Sequence, residues 1–316
     1  MLLEATGLTR TVSKPDHPSD SEAAQHVGQG AEHGRPRELE DWLNFNVYHP
    51  LSSRLARFLA PSRITPNVVS VAGGACVIVA ATSYATPGWP LPAIVGLGFH
   101  LVWHVLDGAD GDLARLTGKA GPLGELIDGL SEYLSHIVLY CVLATVLADQ
   151  TSLQIAWLLA ISAGFSRILQ ANFYEVQRRQ YQWWIYAHPW LGEAHIDMVN
   201  IRAEPWRAAV RLYLLIAKMS GGMASKLGHH DLPFKGPAAE QERFKASVSR
   251  NFSSLLRPLG LLGANQRTLA LGASMLAGSP IYFFLYEIVL LNIALIWSKR
   301  ACVAAARNVA REMGMN

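Results

Sequence analysis

Apolar residues fall along this chain in six runs, at about 65–85, 90–106, 123–148, 153–173, 268–277 and 281–297. A helix that crosses a bilayer needs about 20 residues. Five runs meet that length, the second by continuing into an acidic motif. The fifth is short unless it begins nearer Leu261. Thr65-Pro66-Asn67 opens the first run, and proline is well tolerated in a first helical turn. Ahead of it, Leu51, Leu55, Phe58 and Leu59 recur at helical spacing with Arg54 and Arg57 between them, until Pro61. That pattern predicts an amphipathic helix lying on a membrane surface. The expected fold is an all-α integral membrane protein of six transmembrane helices preceded by an interfacial helix.

The polar segments complete the layout. Residues 1–37 are rich in Ser, Pro, Gly, His and charge, carry no apolar stretch that would serve as a cleavable signal, and are expected to be a disordered tail. The interfacial helix then occupies 38–62, helices one to four 63–180, a cytosolic or interfacial insertion 181–258, helices five and six 259–300, and a tail 301–316. Within the insertion, residues 206–219 mix apolar residues with Arg207, Arg211 and Lys218. This fits a helix on the membrane surface, since a seventh span would bury Arg211 and Lys218. Residues 228–242, with His229-His230, have the composition of a solvated loop.

Composition supports the membrane reading. The chain is 51% hydrophobic and 16% charged, against about 25% charged residues in soluble domains. The net charge is only +3, and no basic run is interleaved with aromatics, so nucleic acid is not an expected partner. Cys76, Cys141 and Cys302 are far apart and have no metal-site spacing. The connections at 83–91, 148–152 and 278–281 contain no Lys or Arg, whereas Arg54, Arg57, Arg63, Lys119, Arg178, Arg179, Lys299 and Arg300 fall on the opposite side. The positive-inside rule then places both termini and the acidic motif at the cytoplasmic face of the inner membrane.

The chemistry lies in four carboxylates inside apolar sequence. Asp107, Asp110, Gly111 and Ala114 share one helical face, and Gly124, Asp128 and Glu132 share a face of the next helix. Ionised carboxylates in a bilayer cost several kcal/mol each, about 3 on insertion scales. Pairing with Arg115, Lys119 or Arg167 can neutralise one or two of them, not all four. Divalent cations, which take carboxylate oxygens, can. A cation transporter is a rival reading, but its site belongs near the bilayer midplane, and this cluster lies at one end beside Arg115.

Asp107 to Glu132 resembles the motif of the CDP-alcohol phosphotransferase family, D-x-x-D-G-x-x-A-R, eight residues, G-x-x-x-D-x-x-x-D. Every position matches except the last, where Glu132 replaces Asp. The six-helix layout and the Thr-Pro-Asn opening agree loosely with that family. The resemblance implies transfer of a substituted phosphate from a CDP-linked alcohol to an alcohol hydroxyl with release of CMP. It implies two Mg²⁺ or Mn²⁺ ions held by Asp107, Asp110 and Asp128, with Glu132 as the base that also touches a metal. It implies a CDP pocket shaped by Asp107, Asp110, Gly111, Ala114, Arg115, Gly124 and Asn67. CDP-diacylglycerol is the favoured donor, in phospholipid or related phosphodiester synthesis. A soluble CDP-alcohol such as CDP-inositol, with a lipid or polyol acceptor, is the alternative, and the family's habit suggests a homodimer. The extra methylene at Glu132 also leaves an inactive relative open.

Arg167, inside the fourth run, is expected to face the bundle interior, either at an anionic acceptor or donor phosphate or against a carboxylate. Asn172, Tyr174, Glu175 and Arg178 continue its polar edge. His104 and His136 lie near the acids and read as packing or hydrogen-bonding residues before ligands.

Overall fold

The computed structural model describes residues 37–186 and 237–315. The expected N-terminal tail up to residue 36, the helix expected at 206–219 and His229-His230 lie outside the described residues. The described chain is helical, with no strand among the described residues. Helix α1 is His49–Leu59, α2 Pro66–Ala85, α3 Leu91–Leu116, α4 Pro122–Ala148, α5 Leu153–Tyr186 and α6 Ala238–Leu259. There follow α7 Ala264–Leu276, α8 Ile281–Leu285 and α9 Leu291–Glu312, with a π-helical turn, Tyr286–Leu290, joining the last two. Five stretches are long and apolar enough to cross a membrane: Pro66–Ala85, Leu91–Leu116, Ile127–Ala148, Leu153–Tyr186 and Ile281–Glu312.

The expected fifth crossing corresponds to α7, whose 13 residues reach only about 20 Å at 1.5 Å per residue, against a hydrocarbon core of about 30 Å. It is tied to the bundle at both of its ends. At its start Asn265 donates to Asp41 at 2.6 Å and Asn44 at 2.9 Å. At its end the Trp89 indole donates to the Leu276 carbonyl at 2.9 Å, and Gln150 to the Gly278 carbonyl at 3.0 Å. The α2–α3 and α4–α5 connections and the end of α7 thus gather at one face, opposite the acidic motif.

Small residues set how closely these helices approach, as expected where lipid supplies no hydrophobic drive between them. A Cβ on Gly96 would lie 2.6 Å from the Tyr84 ring, so the α2–α3 crossing depends on its absence. Val77, Leu139, Leu143, Leu147, Phe283 and Phe284 fill the space between the helices. Ile78, Ile94, Val102, Leu158, Ile161 and Phe165 point outward, as a lipid-facing surface requires.

Helix α1 is amphipathic in an unexpected register. Its buried face is Ser52 and Ala56, packed on α3, where Ser52 Oγ donates to the Val105 carbonyl at 2.8 Å. A Cβ on Gly108 would come within 2.5 Å of that hydroxyl. Phe58 and Leu51 stay exposed, available to a membrane surface.

Helix α5 does not stop near Phe173. Its 34 residues extend about 51 Å, well beyond a bilayer. The surplus, with α6 and the second half of α9, encloses a separate core of Phe173, Tyr181, Trp184, Phe244, Val248, Phe252, Leu256, Cys302, Ala305 and Val309. Glu312 ties the ends together by accepting from Ser247 at 2.6 Å and Arg250 at 2.7 Å. Residues 238–242, expected as loop, are therefore the first turn of α6, and the helix that begins as the last crossing continues through 301–312.

The bundle also buries one ion pair completely. Arg267 Nε donates to Glu287 Oε1 at 3.0 Å, with the two side chains 2% and 0% exposed. Removing one partner strands the other. Arg267→Met should destabilise the protein by about 3–5 kcal/mol, read by thermal unfolding in detergent, and Arg267→Met with Glu287→Met should regain most of that loss. A single variant that unfolds with the parent would show that the pair does not hold the bundle.

Candidate active site

The acids meet where α3 and α4 run antiparallel. Asp110 is buried and accepts a hydrogen bond from Ser70 Oγ of α2 at 2.5 Å. Ser70 is placed in turn by its neighbours, since its backbone carbonyl accepts Ser131 Oγ of α4 at 3.2 Å. The Asp110 and Asp128 carboxyls are within hydrogen-bonding reach of each other, and Asp107 and Glu132 are close enough to act on Asp128 electrostatically. Two carboxyls in contact need a proton or a cation between them.

The oxygen-only donor set suits a hard divalent ion. Asp107, Asp110 and Asp128 are brought to one flank in the order the helical spacing predicts. They are not closed into a shell: among the described residues no three His, Cys, Asp or Glu side chains converge tightly enough to hold an ion. The chemistry of the site fits metal, in an arrangement wider than a finished coordination sphere.

Around the acids the expected pocket residues assemble. Asn67 Oδ1 lies 3.9 Å from where a Gly124 Cβ would stand, so the first turns of α2 and α4 face each other there. The Arg115 guanidinium lies over Gly111, with Nη1 3.5 Å from an added Cβ. Arg115 also pairs with Asp112, which accepts Ser53 Oγ of α1 at 2.7 Å. Helix α1 therefore reaches the motif through a two-bond path, Ser53 to Asp112 to Arg115. Gly111, Ala114 and Gly124 are only partly covered, leaving this flank open.

Glu132 sits differently from the three aspartates. Its Oε1 lies 3.7 Å from Arg167 Nη2 of α5. Arg167 thus faces the bundle interior, as expected, and its partner is a carboxylate. Arg178 and Glu175 pair with each other along α5, at 2.9 Å.

His104 and His136 belong to a buried ring cluster beside the acids. His104 stacks on Tyr48 at 4.9 Å and shares a hydrogen bond with Thr268 at 2.9 Å. Nδ1 of His136 donates to the Glu132 backbone carbonyl at 2.8 Å. Trp103 packs against both rings.

The hydrophobic pattern does not single out Ser70, one small polar residue in an apolar run. Glu287 does carry a signal, being a lone carboxylate in the last apolar run. Asp112, a further acid within the motif, carries one as well.

The family model for CDP-alcohol phosphatidyltransferases matches residues 63–217. The match takes in the acids, Asn67, the paired glycines and Arg167, and leaves Arg267 and Glu287 outside. Groups that orient metal ligands typically contribute 10- to 100-fold in affinity. Ser70→Ala should accordingly weaken Mn²⁺ binding by about 10- to 100-fold, measured by titration calorimetry on protein in nanodiscs. Unchanged affinity would remove Asp110 from the ligand set.

Proposed function

With residues 63–217 matching the family model for CDP-alcohol phosphatidyltransferases, we propose that the chain moves a substituted phosphate from CDP-diacylglycerol to an alcohol hydroxyl at the cytoplasmic face of a membrane, releasing CMP. The observation that carries this reading is the meeting of Asp110 and Asp128 on adjacent helices, with Asp107 beside them. Transferase chemistry on a CDP-alcohol follows from the family. The donor, the acceptor and the sidedness are our inference.

Asp107, Asp110 and Asp128 would hold two Mg²⁺ or Mn²⁺ ions. Such ions neutralise charge on the diphosphate and on the departing CMP. Ser70 fixes the Asp110 carboxylate, so that its oxygens meet the ligand without a search over rotamers. Arg115 offers a planar fork to a phosphate oxygen, with Asp112 steadying its other edge. Gly111, Ala114 and Gly124 leave room for the cytidine diphosphate, and Asn67 offers an amide beside Gly124.

The acceptor hydroxyl attacks the phosphorus that bears the diacylglycerol. The new P–O bond forms as the bond to CMP breaks. CMP takes that electron pair, and the hydroxyl proton passes to a Glu132 carboxylate oxygen. Lipid access from the membrane suits an acyl-bearing donor, because the flank between α2, α3 and α4 lies among outward apolar residues. Positive charge on the connections near the motif supports the cytoplasmic placement, and the second copy expected from the family's habit is part of the same proposal.

Purified protein with Mn²⁺ and CDP-diacylglycerol should release CMP only when an alcohol acceptor is present, read across a panel of polyols, serine and sugar phosphates with product mass. Release from CDP-inositol alone would move the donor to the soluble class, and no release from any CDP-linked donor would overturn the reading. Asp128→Asn should abolish release with expression intact. Turnover surviving in that variant would remove Asp128 from its role.

A further inference from the structure

Resting on that proposed reaction, we propose that Arg167 is a positioning residue, and that it fixes Glu132 for proton removal rather than binding the acceptor. The two side chains approach through Arg167 Nη2 and Glu132 Oε1, at 3.7 Å, across the α4–α5 contact. At 3.7 Å the approach is an electrostatic pairing, longer than a hydrogen bond, and it turns Oε1 toward Arg167. In this geometry Oε2 of Glu132 is the atom left to meet the acceptor hydroxyl.

Arg167 is itself held from behind. Tyr140 and the charge of Glu287 both lie near enough to act on its guanidinium. Tyr140 donates to Glu287 Oε1 at 3.2 Å, and Arg267 Nε donates to the same oxygen at 3.0 Å. Gln170 closes the assembly by accepting Arg267 Nη2 at 2.9 Å and donating to the Glu287 carbonyl at 2.9 Å. Four ionisable groups of alternating sign, Glu132, Arg167, Glu287 and Arg267, thus connect the edge of the acid cluster to the bundle core.

Their charges sum to zero. An anionic acceptor arriving at Arg167 would have to displace a carboxylate already placed there. Arg267 and Glu287 are fully buried while the Glu132 side chain stays 41% exposed, and a neutral set with one open carboxylate favours orientation over capture. Side-chain reach bears on the identity of residue 132. Shortening Glu to Asp withdraws the carboxyl by about 1 Å, a displacement that can cost about 10²-fold in rate, and opens the ion pair. The glutamate at this position and the arginine on α5 therefore act as a matched pair. The support for that pair comes from α7 and the π-helical turn, both outside the segment matched by the family model.

A double-mutant cycle tests this on the full-length protein in nanodiscs. Arg167→Gln should lower kcat for CMP release by about 10²-fold, with the acceptor KM and the Mn²⁺ affinity left at parental values. Arg167→Lys should recover part of the loss. In a Glu132→Gln background, Arg167→Gln should cost nothing further. A raised acceptor KM with kcat retained, or losses that multiply, would overturn the proposal. The same four proteins are compared by thermal unfolding, which needs no turnover. There the double variant should melt above the sum of the single shifts, and strictly additive shifts would deny the contact itself. If the parent protein releases no CMP from any donor, the proposed reaction falls, and the unfolding cycle alone decides whether the pair exists.

Discussion

Burying negative charge in a membrane helix is the constraint on which this architecture turns. The α3–α4 face places three aspartates where apolar packing would otherwise be cheaper, and no single cation in the sequence can offset them. The protein answers in two ways. Asp110 is stabilised by a serine hydroxyl from α2 and shares its space with Asp128, an arrangement that calls for an added cation. Glu132 and Glu287 are instead answered from within, by Arg167 and Arg267. The first pair of acids is left open to a ligand. Of the second pair only Glu287 is fully enclosed; Glu132 keeps an exposed edge.

That division connects fold to chemistry. Small residues at the crossings bring α1 and α2 close against α3 and α4 close against α2, and the same closeness lets Ser53, Ser70 and Asn67 touch the motif. Helix α1 is part of this. It packs by Ser52 and Ala56 and turns its larger apolar side chains outward. A helix whose larger apolar side chains stay exposed on one side thereby reaches Arg115 on the other, through Asp112.

Much of the site is legible in sequence because helical spacing dictates it. Asp107, Asp110, Asp128 and Glu132 had to share the facing sides of two antiparallel helices, and Asn67 meets Gly124 at the helix starts. What local periodicity cannot convey is partnership across the bundle. Ser70 contributes one hydroxyl from within the run of Val and Ala that follows Asn67. Arg267 finds Glu287 twenty residues later only because a turn folds α7 against the last crossing. The lengths of α5 and α9 also escape hydropathy. Their membrane-distal halves are helical because Phe173, Tyr181 and Trp184 have Phe244, Val248 and Val309 to pack against, a condition that lies in tertiary structure.

A structure determined with Mn²⁺ and CDP-diacylglycerol bound, with the anomalous signal of manganese mapped, tests the central claim most directly. Density for two ions is expected between the Asp107, Asp110 and Asp128 carboxylates and the diphosphate, with Glu132 still paired to Arg167. Manganese bound elsewhere, or the aspartates turned apart with the nucleotide in place, would contradict it.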